Sequence, residues 1–290
     1  MNIALTGSSG LLGSRLLKDL KNLNHNYFCI SSSASSPNNN IYSYEEMLTA
    51  KIPHSVDCMI HLASQNSERS ESDISADLEI TNNVIKGMKT LNCKKLIFFS
   101  TSKVYGDNSF DYQLFEETSP LNPACSYGKA KAACEEQIIK AAQNSNFEYI
   151  ILRMPPVLIN DPRSSVGKLH TFIGQGFPVP SFPAGDNNLR SFLSYELLFS
   201  ILGSMIAREF HHSNEIFNLT NNKAISTNEL FEDIALSMQK NLKIIRLPNF
   251  LFQAMLRVNR LQLILCRLFG NFHMSNSKLT RIIDLTMDGK

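Results

Sequence analysis

Short apolar runs alternate, along the first half of the chain, with longer stretches in which apolar residues recur every three or four positions. The short runs are bounded by Gly, Asn or Ser and predict strands, whereas the periodic stretches predict amphipathic helices. The predicted strands are 3–5, 27–31, 56–62, 96–100 and 149–152, with a weaker one at 41–42. The predicted helices lie near 71–92 and 126–145, after a shorter helical run from Tyr44. This alternation predicts a parallel sheet with helices on both faces.

A glycine-rich turn separates the first predicted strand from the first helical pattern. The sequence TGSSGLLG places Gly7, Gly10 and Gly13 at equal spacing, and leucines follow at helical intervals. In a dinucleotide-binding fold the first glycine permits a tight turn, the second lets the backbone approach a pyrophosphate, and the third lets the helix pack closely. The phosphates would lie at the positive N-terminus of the helix.

The second half of the chain has a different composition, because proline and glycine become frequent after Arg153. This favours a loop-rich lobe that covers the carboxyl ends of the strands, where open α/β sheets bind ligands. A helix is predicted at 226–239, with Ser226 or Thr227 as its cap.

Composition and charge exclude several functional classes. The chain has 290 residues, 43% of them apolar, and a net charge of +2, with its basic residues scattered. A nucleic-acid partner is therefore not expected. The six cysteines form no CxxC pair, so neither a disulfide framework nor a metal site is indicated. Because the first residues read directly as a strand and a glycine turn, we expect no signal peptide and a cytoplasmic location.

Three further residues suggest redox chemistry. Tyr127 and Lys131 are four apart in a helical pattern and therefore share one helix face. A nearby ammonium favours the phenolate, which lowers the tyrosine pKa towards a useful range for acid/base work. Ser102 follows the predicted strand 96–100 and would stand at the carboxyl edge of the sheet.

These motifs together resemble the extended short-chain dehydrogenases/reductases, and within them the NAD-dependent epimerase/dehydratase family, which acts on nucleotide sugars. TGSSGLLG resembles the family's TGxxGxxG, VDCMIHLAS its DxVxHLAA strand, STSKVYG its SSxxVYG, and SYGKAK its YxxxK motif. In the second half, GFPVP and LRSFLSYELL resemble the family's GxPxP and RDFxxVxDL stretches.

The resemblance implies an α/β fold, a Rossmann-type doubly wound parallel sheet with a smaller C-terminal α/β substrate lobe. Residues 1–154 would bind the dinucleotide, with part of 186–222 contributing, and residues 155–290 would mainly bind substrate. Relatives commonly pair through the helices near 71–92 and 126–145, so a homodimer is expected.

The resemblance also implies the site residues. Ser102, Tyr127 and Lys131 would be catalytic, with Tyr127 as the general acid/base and Lys131 binding the nicotinamide ribose and lowering the pKa of Tyr127. Substrate would be bound by Ser102, Lys103 and Arg190, the last of which would pair with a diphosphate. The implied cofactor-binding residues are Gly7, Ser9, Gly10, Leu11, Leu12, Gly13, Ser31, Leu62, Ala63, Ser64, Tyr127, Lys131 and Pro155.

Departures from the family pattern narrow these expectations. Ser102 and Lys103 stand where the 4,6-dehydratases carry Asp and Glu, so dehydration is disfavoured. Ser31-Ser32-Ser33 replaces the acidic residue with which many NAD-specific members end the second strand, which gives a slight preference for NADP over NAD. Asp77 takes the place of an asparagine usual in the family.

Two enzymatic functions remain, and both need the same three catalytic residues. We favour reduction of a nucleotide-linked 4-keto-6-deoxy sugar, as in O-antigen and other surface-polysaccharide sugar biosynthesis, over 4-epimerisation of a UDP-glucose or UDP-GlcNAc type sugar with tightly bound NAD. A non-catalytic NAD(P)-binding regulator is the alternative of another class.

Three other features have mainly structural interpretations. The segment 250–272 is apolar but contains three arginines, which excludes a transmembrane span; we interpret it as helices packed beside the lobe, without membrane contact. His61 is predicted to be a structural residue of its strand. Cys125 is predicted to have a packing role.

Overall fold

The computed structural model describes residues 1–23, 25–32, 39–52, 55–64, 72–206 and 212–283. Ser33 and Glu71 of the sequence predictions lie outside these ranges. The strands are β1 Asn2–Thr6, β2 Asn26–Ser31, β3 Ile41–Ser43, β4 Cys58–His61, β5 Lys95–Thr101, β6 Leu114–Phe115, β7 Glu148–Met154, β8 Val157–Leu158, β9 Val179–Ser181, β10 Leu193–Ser194, β11 Glu215–Asn218, β12 Ile244–Arg246 and β13 His273–Met274.

The helices alternate with these strands. They are α1 Leu11–Leu20, α2 Tyr44–Leu48, α3 Ser72–Thr90, α4 Ser126–Gln143, α5 Ser165–Gly174, α6 Ala184–Asn187, α7 Tyr195–Ile206, α8 Thr227–Ser237, α9 Asn249–Leu256, α10 Asn259–Phe269 and α11 Ser277–Ile283, with a 3₁₀ turn at Ser102–Val104. No helix within the described ranges is long and apolar enough to cross a bilayer.

The chain divides into two compact units. The first comprises 1–106, 121–154 and 199–217, and the second comprises 107–120, 155–198 and 218–290. The assignment of cofactor binding to one unit and substrate binding to the other stays a proposal.

The first unit is built on a seven-stranded sheet in the order β3-β2-β1-β4-β5-β7-β11, in which the strands from β3 to β7 pair in parallel. The chain adds β2 and β3 on one side of β1 and then β4, β5, β7 and β11 on the other. This reversal confirms the predicted doubly wound Rossmann-type sheet and opens a crevice at the carboxyl ends of β1 and β4.

Both faces of this sheet are buried, which explains the apolar runs in the sequence. On one face, Ala4, Phe28, Met59, Phe98 and Ile151 pack with the inner residues of α2, α3 and α4. The alternate strand residues, which point to the opposite face, are also fully buried; they include Ile3, Leu5, Ile60, Ile97 and Ile150.

The second unit contains three two-stranded parallel pairs, β8 with β10, β9 with β12, and β6 with β13. One apolar cluster joins α5 and α8, and a second joins Phe182, Phe252, Leu265 and Phe269. Of the two predicted caps of α8, Ser226 is the one observed: its hydroxyl accepts from the Glu229 N–H, and the Glu229 carboxylate accepts from the Ser226 N–H.

Candidate active site

The turn between β1 and α1 requires glycine at two of the predicted positions. Gly7 has φ +74°, and a Cβ there would lie 2.6 Å from the Ala63 nitrogen. A Cβ on Gly13 would lie 2.1 Å from the Gly7 carbonyl oxygen. The turn therefore packs backbone against backbone, and it does so beside the segment that follows β4.

The N-terminus of α1 suits an anion. Its N-cap is Gly10, which offers no side-chain acceptor, and the first turn carries no acidic residue. The first N–H groups of a helix lack intrahelical partners, and the helix dipole favours negative charge there. A cofactor pyrophosphate fits this donor set. The predicted cofactor residues Ser9, Leu11 and Leu12 lie in the same turn and helix start.

The remaining predicted cofactor residues follow neighbouring strands. Ser31 ends β2, which pairs with β1, and Leu62, Ala63 and Ser64 follow β4 on the other side of β1. Because the carboxyl ends of parallel strands meet at one edge, these residues share that edge with the glycine turn. Pro155 directly follows β7.

Ser102 and Tyr127 are positioned by a close contact between two elements. Ser102 is buried at the start of the 3₁₀ turn that follows β5. Gly128, the third residue of α4, packs so tightly on this turn that a Cβ would lie 2.5 Å from the Lys103 carbonyl oxygen. The Thr101 side chain, which sequence reasoning did not identify, acts on the Tyr127 hydroxyl and lowers its pKa.

Lys131 is buried one turn further along α4. Its Nζ donates to the Phe99 carbonyl oxygen at 2.9 Å and lies 4.6 Å from the centroid of the Phe98 ring. Burial lowers the pKa of Lys131, while the nearby Cys134, Asp77 and Glu135 oppose this shift. The ammonium is thus held against the strand that leads to Ser102.

The pKa of Tyr127 is raised to about 12, mainly by burial and then by the negative charges of Asp77 and Cys125, although the Thr101 hydrogen bond opposes the shift. Lys131 is not among the groups that shift this pKa, so its lowering of the Tyr127 pKa stays a prediction. Desolvation disfavours the phenolate, and the carboxylate on α3 adds to that effect.

Asp77 is a functional candidate whose signal in the sequence was its replacement of the family's asparagine. Its side chain is only 3% exposed, and its Oδ2 accepts a hydrogen bond of 2.6 Å from the Ser64 hydroxyl. The carboxylate acts electrostatically on both Tyr127 and Lys131. It therefore connects the segment after β4 with Tyr127 and Lys131.

His61 has the structural role that the sequence predicted, whereas Cys125, predicted to pack, caps a helix. His61 Nδ1 hydrogen-bonds with the Thr6 hydroxyl at 2.7 Å and Nε2 with the Thr81 hydroxyl at 3.2 Å. Burial, assisted by the charge of Lys131, lowers the pKa of His61 to about 3, so the ring is neutral near pH 7. Cys125 caps α4 by accepting from the Gly128 N–H at 3.4 Å.

A buried ion pair anchors α4 to the sheet. Arg153 on β7 donates from Nε and Nη2 to both carboxylate oxygens of Glu135, at 2.7–3.2 Å. The same carboxylate accepts from the Ser100 hydroxyl, and Arg153 Nη1 donates to the Tyr105 hydroxyl at 3.0 Å. The spacing of Tyr127, Lys131 and Glu135 places all three on one face of α4.

The predicted substrate residues lie in different units. Lys103 is in the 3₁₀ turn of the first unit. Arg190, in the second, donates from Nη1 to the Leu268 carbonyl oxygen at 3.0 Å and lies over the Phe192 ring. Burial lowers the pKa of Arg190 to about 10, and within the described ranges no carboxylate pairs with it. A desolvated guanidinium without a counter-charge suits an anionic ligand.

The chain is similar to proteins of known activity. It is 24% identical over 255 residues to the UDP-glucose 4-epimerase of Vibrio cholerae, covering 82% of this chain and 76% of the relative. It is also 24% identical over 268 residues to the N-acetyl-alpha-D-glucosaminyl-diphospho-ditrans,octacis-undecaprenol 4-epimerase of Escherichia coli O157:H7, covering 85% and 75%.

A solved structure with the same fold is the UDP-glucose 4-epimerase of Thermus thermophilus in complex with NAD, with a TM-score of 0.70, 19% identity, and coverage of 97% of this chain and 92% of that one. A sequence model of the NAD dependent epimerase/dehydratase family matches residues 3–169, which is more than half of the chain. With its doubly wound sheet, glycine turn and Ser/Tyr/Lys set, the chain belongs to the NAD-dependent epimerase/dehydratase family.

Proposed function

We propose that the protein is an NAD(P)-dependent enzyme that oxidises and re-reduces C4 of a sugar carried on a diphosphate, with 4-epimerisation as the net reaction. The observation that carries this proposal is the set of Ser102, Tyr127 and Lys131 at the carboxyl edge of the sheet, two strands from the glycine turn. The 4-epimerase relatives, matched over 82% and 85% of the chain, support the net reaction.

In this mechanism the Tyr127 hydroxyl exchanges a proton with the sugar oxygen at C4, and the Ser102 hydroxyl hydrogen-bonds with the same oxygen. Lys131 binds the ribose hydroxyls of the cofactor. The nicotinamide cofactor, when bound, supplies the hydride acceptor and donor. With a pKa of about 12, Tyr127 is protonated near neutral pH, the form that gives a proton to the C4 keto oxygen in the reductive half-reaction. In the oxidative half-reaction Tyr127 acts as the phenolate and takes the proton of the C4 hydroxyl, which regenerates the phenol before the hydride returns.

We propose that the predicted residues of the β1–α1 turn bind the cofactor, together with Ser31, Leu62, Ala63, Ser64 and Pro155.

Reduction of a 4-keto sugar by free NADPH is the second candidate function. One observation favours it: β2 ends in Ser31, which does not repel a 2′-phosphate as an acidic residue would.

Arg190 is proposed to bind the diphosphate of the substrate, and Lys103 to assist in substrate binding. The relatives' names describe two carriers for that diphosphate, a uridine nucleotide and undecaprenol. A guanidinium recognises the diphosphate common to both.

The function is tested by denaturing the purified protein, identifying the released nucleotide, and assaying conversion of UDP-glucose, UDP-GlcNAc and the undecaprenyl-diphosphate sugar. Stoichiometric NAD with interconversion of the C4 epimers supports the epimerase. A protein that instead consumes NADPH with a 4-keto-6-deoxy nucleotide sugar is the reductase. Binding of NAD(P) without any turnover would identify a regulator.

The catalytic assignment is tested with matched tyrosine and lysine variants. We expect Tyr127→Phe and Lys131→Ala to lower kcat by at least about 100-fold, because the first removes the proposed acid/base group and the second removes the ammonium proposed to hold the nicotinamide ribose. The controls are Tyr149→Phe, at the opposite end of β7 from the site, and Lys129→Ala, an exposed neighbour on α4. Equal effects of a variant and its control would contradict the assignment.

A further inference from the structure

The last part of the second unit has an unusual charge distribution. Between residues 234 and 283 the chain contains no Asp or Glu, although the whole protein has a net charge of only +2. The same stretch contains eight basic residues, Lys240, Lys243, Arg246, Arg257, Arg260, Arg267, Lys278 and Arg281. The positive charge of the protein is therefore concentrated here, and the remainder is net acidic.

Large apolar side chains are exposed in the same stretch. Leu263 and Ile264 on α10 are 62% and 52% exposed, and Leu268 is also exposed. Phe250 on α9 is 76% exposed, and Val258 between the two helices is half exposed. Single exposed apolar residues are normal on protein surfaces, but several on two consecutive helices form a surface that water solvates poorly.

The exposed leucines and arginines of α10 share one side of the helix. Arg260 is three and four residues from Leu263 and Ile264, and Arg267 is four and three residues from the same pair. The opposite side of α10 is fixed in the protein, because Leu265 and Phe269 pack with Phe182 and Phe252. We call the exposed side, formed by Arg260, Leu263, Ile264, Arg267 and Leu268, the α10 face.

In the part of the chain that the structure describes, no acidic side chain pairs with the arginines of this region. Among the described residues, neither Arg257, Arg260 nor Arg267 forms a salt bridge, and no acidic residue occurs on α9 or α10. The guanidinium groups are therefore available to an external anion. The segment does pack in the second unit through Leu265 and Phe269, but Leu263 and Ile264 on its other side stay exposed.

We propose that the α10 face binds the surface of an anionic lipid bilayer. Leu263, Ile264 and Leu268 enter the boundary between headgroups and acyl chains, and Arg260 and Arg267 extend beside them to lipid phosphates. The helix lies along the membrane plane, since its 11 residues are too few to span a bilayer. A nucleic acid would match the charge but not the exposed apolar side chains.

This inference goes beyond the proposed activity and is tested without measuring it. The full chain is mixed with vesicles of phosphatidylcholine alone or with phosphatidylglycerol, and the bound fraction is measured by flotation at low and high salt. We expect binding to the anionic vesicles that weakens at high salt. Absence of binding to anionic vesicles overturns the proposal.

Variants distinguish binding through the α10 face from nonspecific adsorption of the protein to vesicles. Leu263→Ser with Ile264→Ser should lower the vesicle partition coefficient at least about tenfold by removing apolar insertion. Arg260→Gln with Arg267→Gln should lower it about 30-fold, since each basic residue at an anionic surface contributes about fivefold. The control is Leu236→Ser, which changes a leucine on α8 that is 77% exposed.

Circular dichroism and light scattering complete the test by checking that each variant is folded and by giving its oligomeric state. If the folded serine variant binds vesicles as well as the Leu236→Ser control does, the proposal is wrong. A third result also overturns the proposal: the wild type is an oligomer that does not bind vesicles, and the serine variant is a monomer. The α10 face then binds a second copy of the chain.

Discussion

One carboxylate adds to the effect of burial on the ionisation of Tyr127, the proposed acid/base residue. Asp77 raises the pKa of Tyr127, so removing its negative charge should lower that pKa from about 12. We expect Asp77→Asn to move the Tyr127-dependent limb of the pH–rate profile to lower pH, while the amide oxygen still accepts the Ser64 hydrogen bond. Glu79→Gln, an exposed change on the same helix, should leave the limb in place. If the limb of Asp77→Asn lies at the same pH as in the wild type, or at a higher pH, Asp77 does not raise the pKa of Tyr127.

Sequence reasoning proposed Ser102, Tyr127 and Lys131 from two short motifs, STSKVYG and SYGKAK. It could not find the raised pKa of Tyr127, since burial depends on what the rest of the chain places around the phenol. The Thr101 contact was missed for the same reason. Short-range patterns identify reactive groups, whereas their ionisation is a tertiary property.

Among the elements, α4 is joined to the sheet by a buried ion pair as well as by apolar packing. Glu135 and Glu136 are adjacent, but the Glu135 pair with Arg153 is buried, whereas the Glu136 pair with Lys140 is mostly exposed. We expect Glu135→Gln to lower the free energy of unfolding by about 3–5 kcal/mol, because it leaves Arg153 buried without its counter-charge. Glu136→Gln should cost under about 1 kcal/mol. Denaturant titration of both variants measures these changes. Equal losses of unfolding free energy in Glu135→Gln and Glu136→Gln would show that the buried pair is worth no more than the exposed one.

The elements themselves were predictable where apolar periodicity was strong. Six of the seven strands of the sheet and the helices α3 and α4 were predicted close to their observed bounds, because their buried faces repeat regularly, whereas the edge strand β11 was not predicted. The apolar pattern at 250–272 instead resolves into α9 and α10, with a break near Val258. The Glu135–Arg153 pair was not predicted, because a contact between two residues that are 18 positions apart produces no repeating pattern in the sequence.

For the whole molecule, the neutral His61 predicts a loss of stability in acid. Its pKa is about 3 in the folded protein and about 6.5 when unfolded, so the unfolded chain binds the extra proton between these values. Stability is therefore retained above pH 6.5 and falls as the pH decreases towards 3. From pH 7 to pH 5 this histidine should account for about 2 kcal/mol.

This pH effect is measured by denaturant unfolding of the wild type and His61→Gln at both pH values. The substitution removes the titrating ring, so the decrease between pH 7 and pH 5 should be smaller by about 2 kcal/mol than in the wild type. Identical decreases in the two proteins would show that His61 does not contribute. His25→Gln, at a half-buried position with a different environment, is the comparison variant.

The ammonium of Lys131 has three N–H donors, and the Phe99 carbonyl accepts one of them. A ligand with neighbouring hydroxyl groups could therefore be bound by the other two without displacing the strand. The conformational freedom of this long side chain is already lost when the protein folds, so little of that entropy is lost again on binding. Lys131 is therefore preorganised: the entropy of its side chain is lost on folding, so ordering this side chain reduces ligand affinity only slightly.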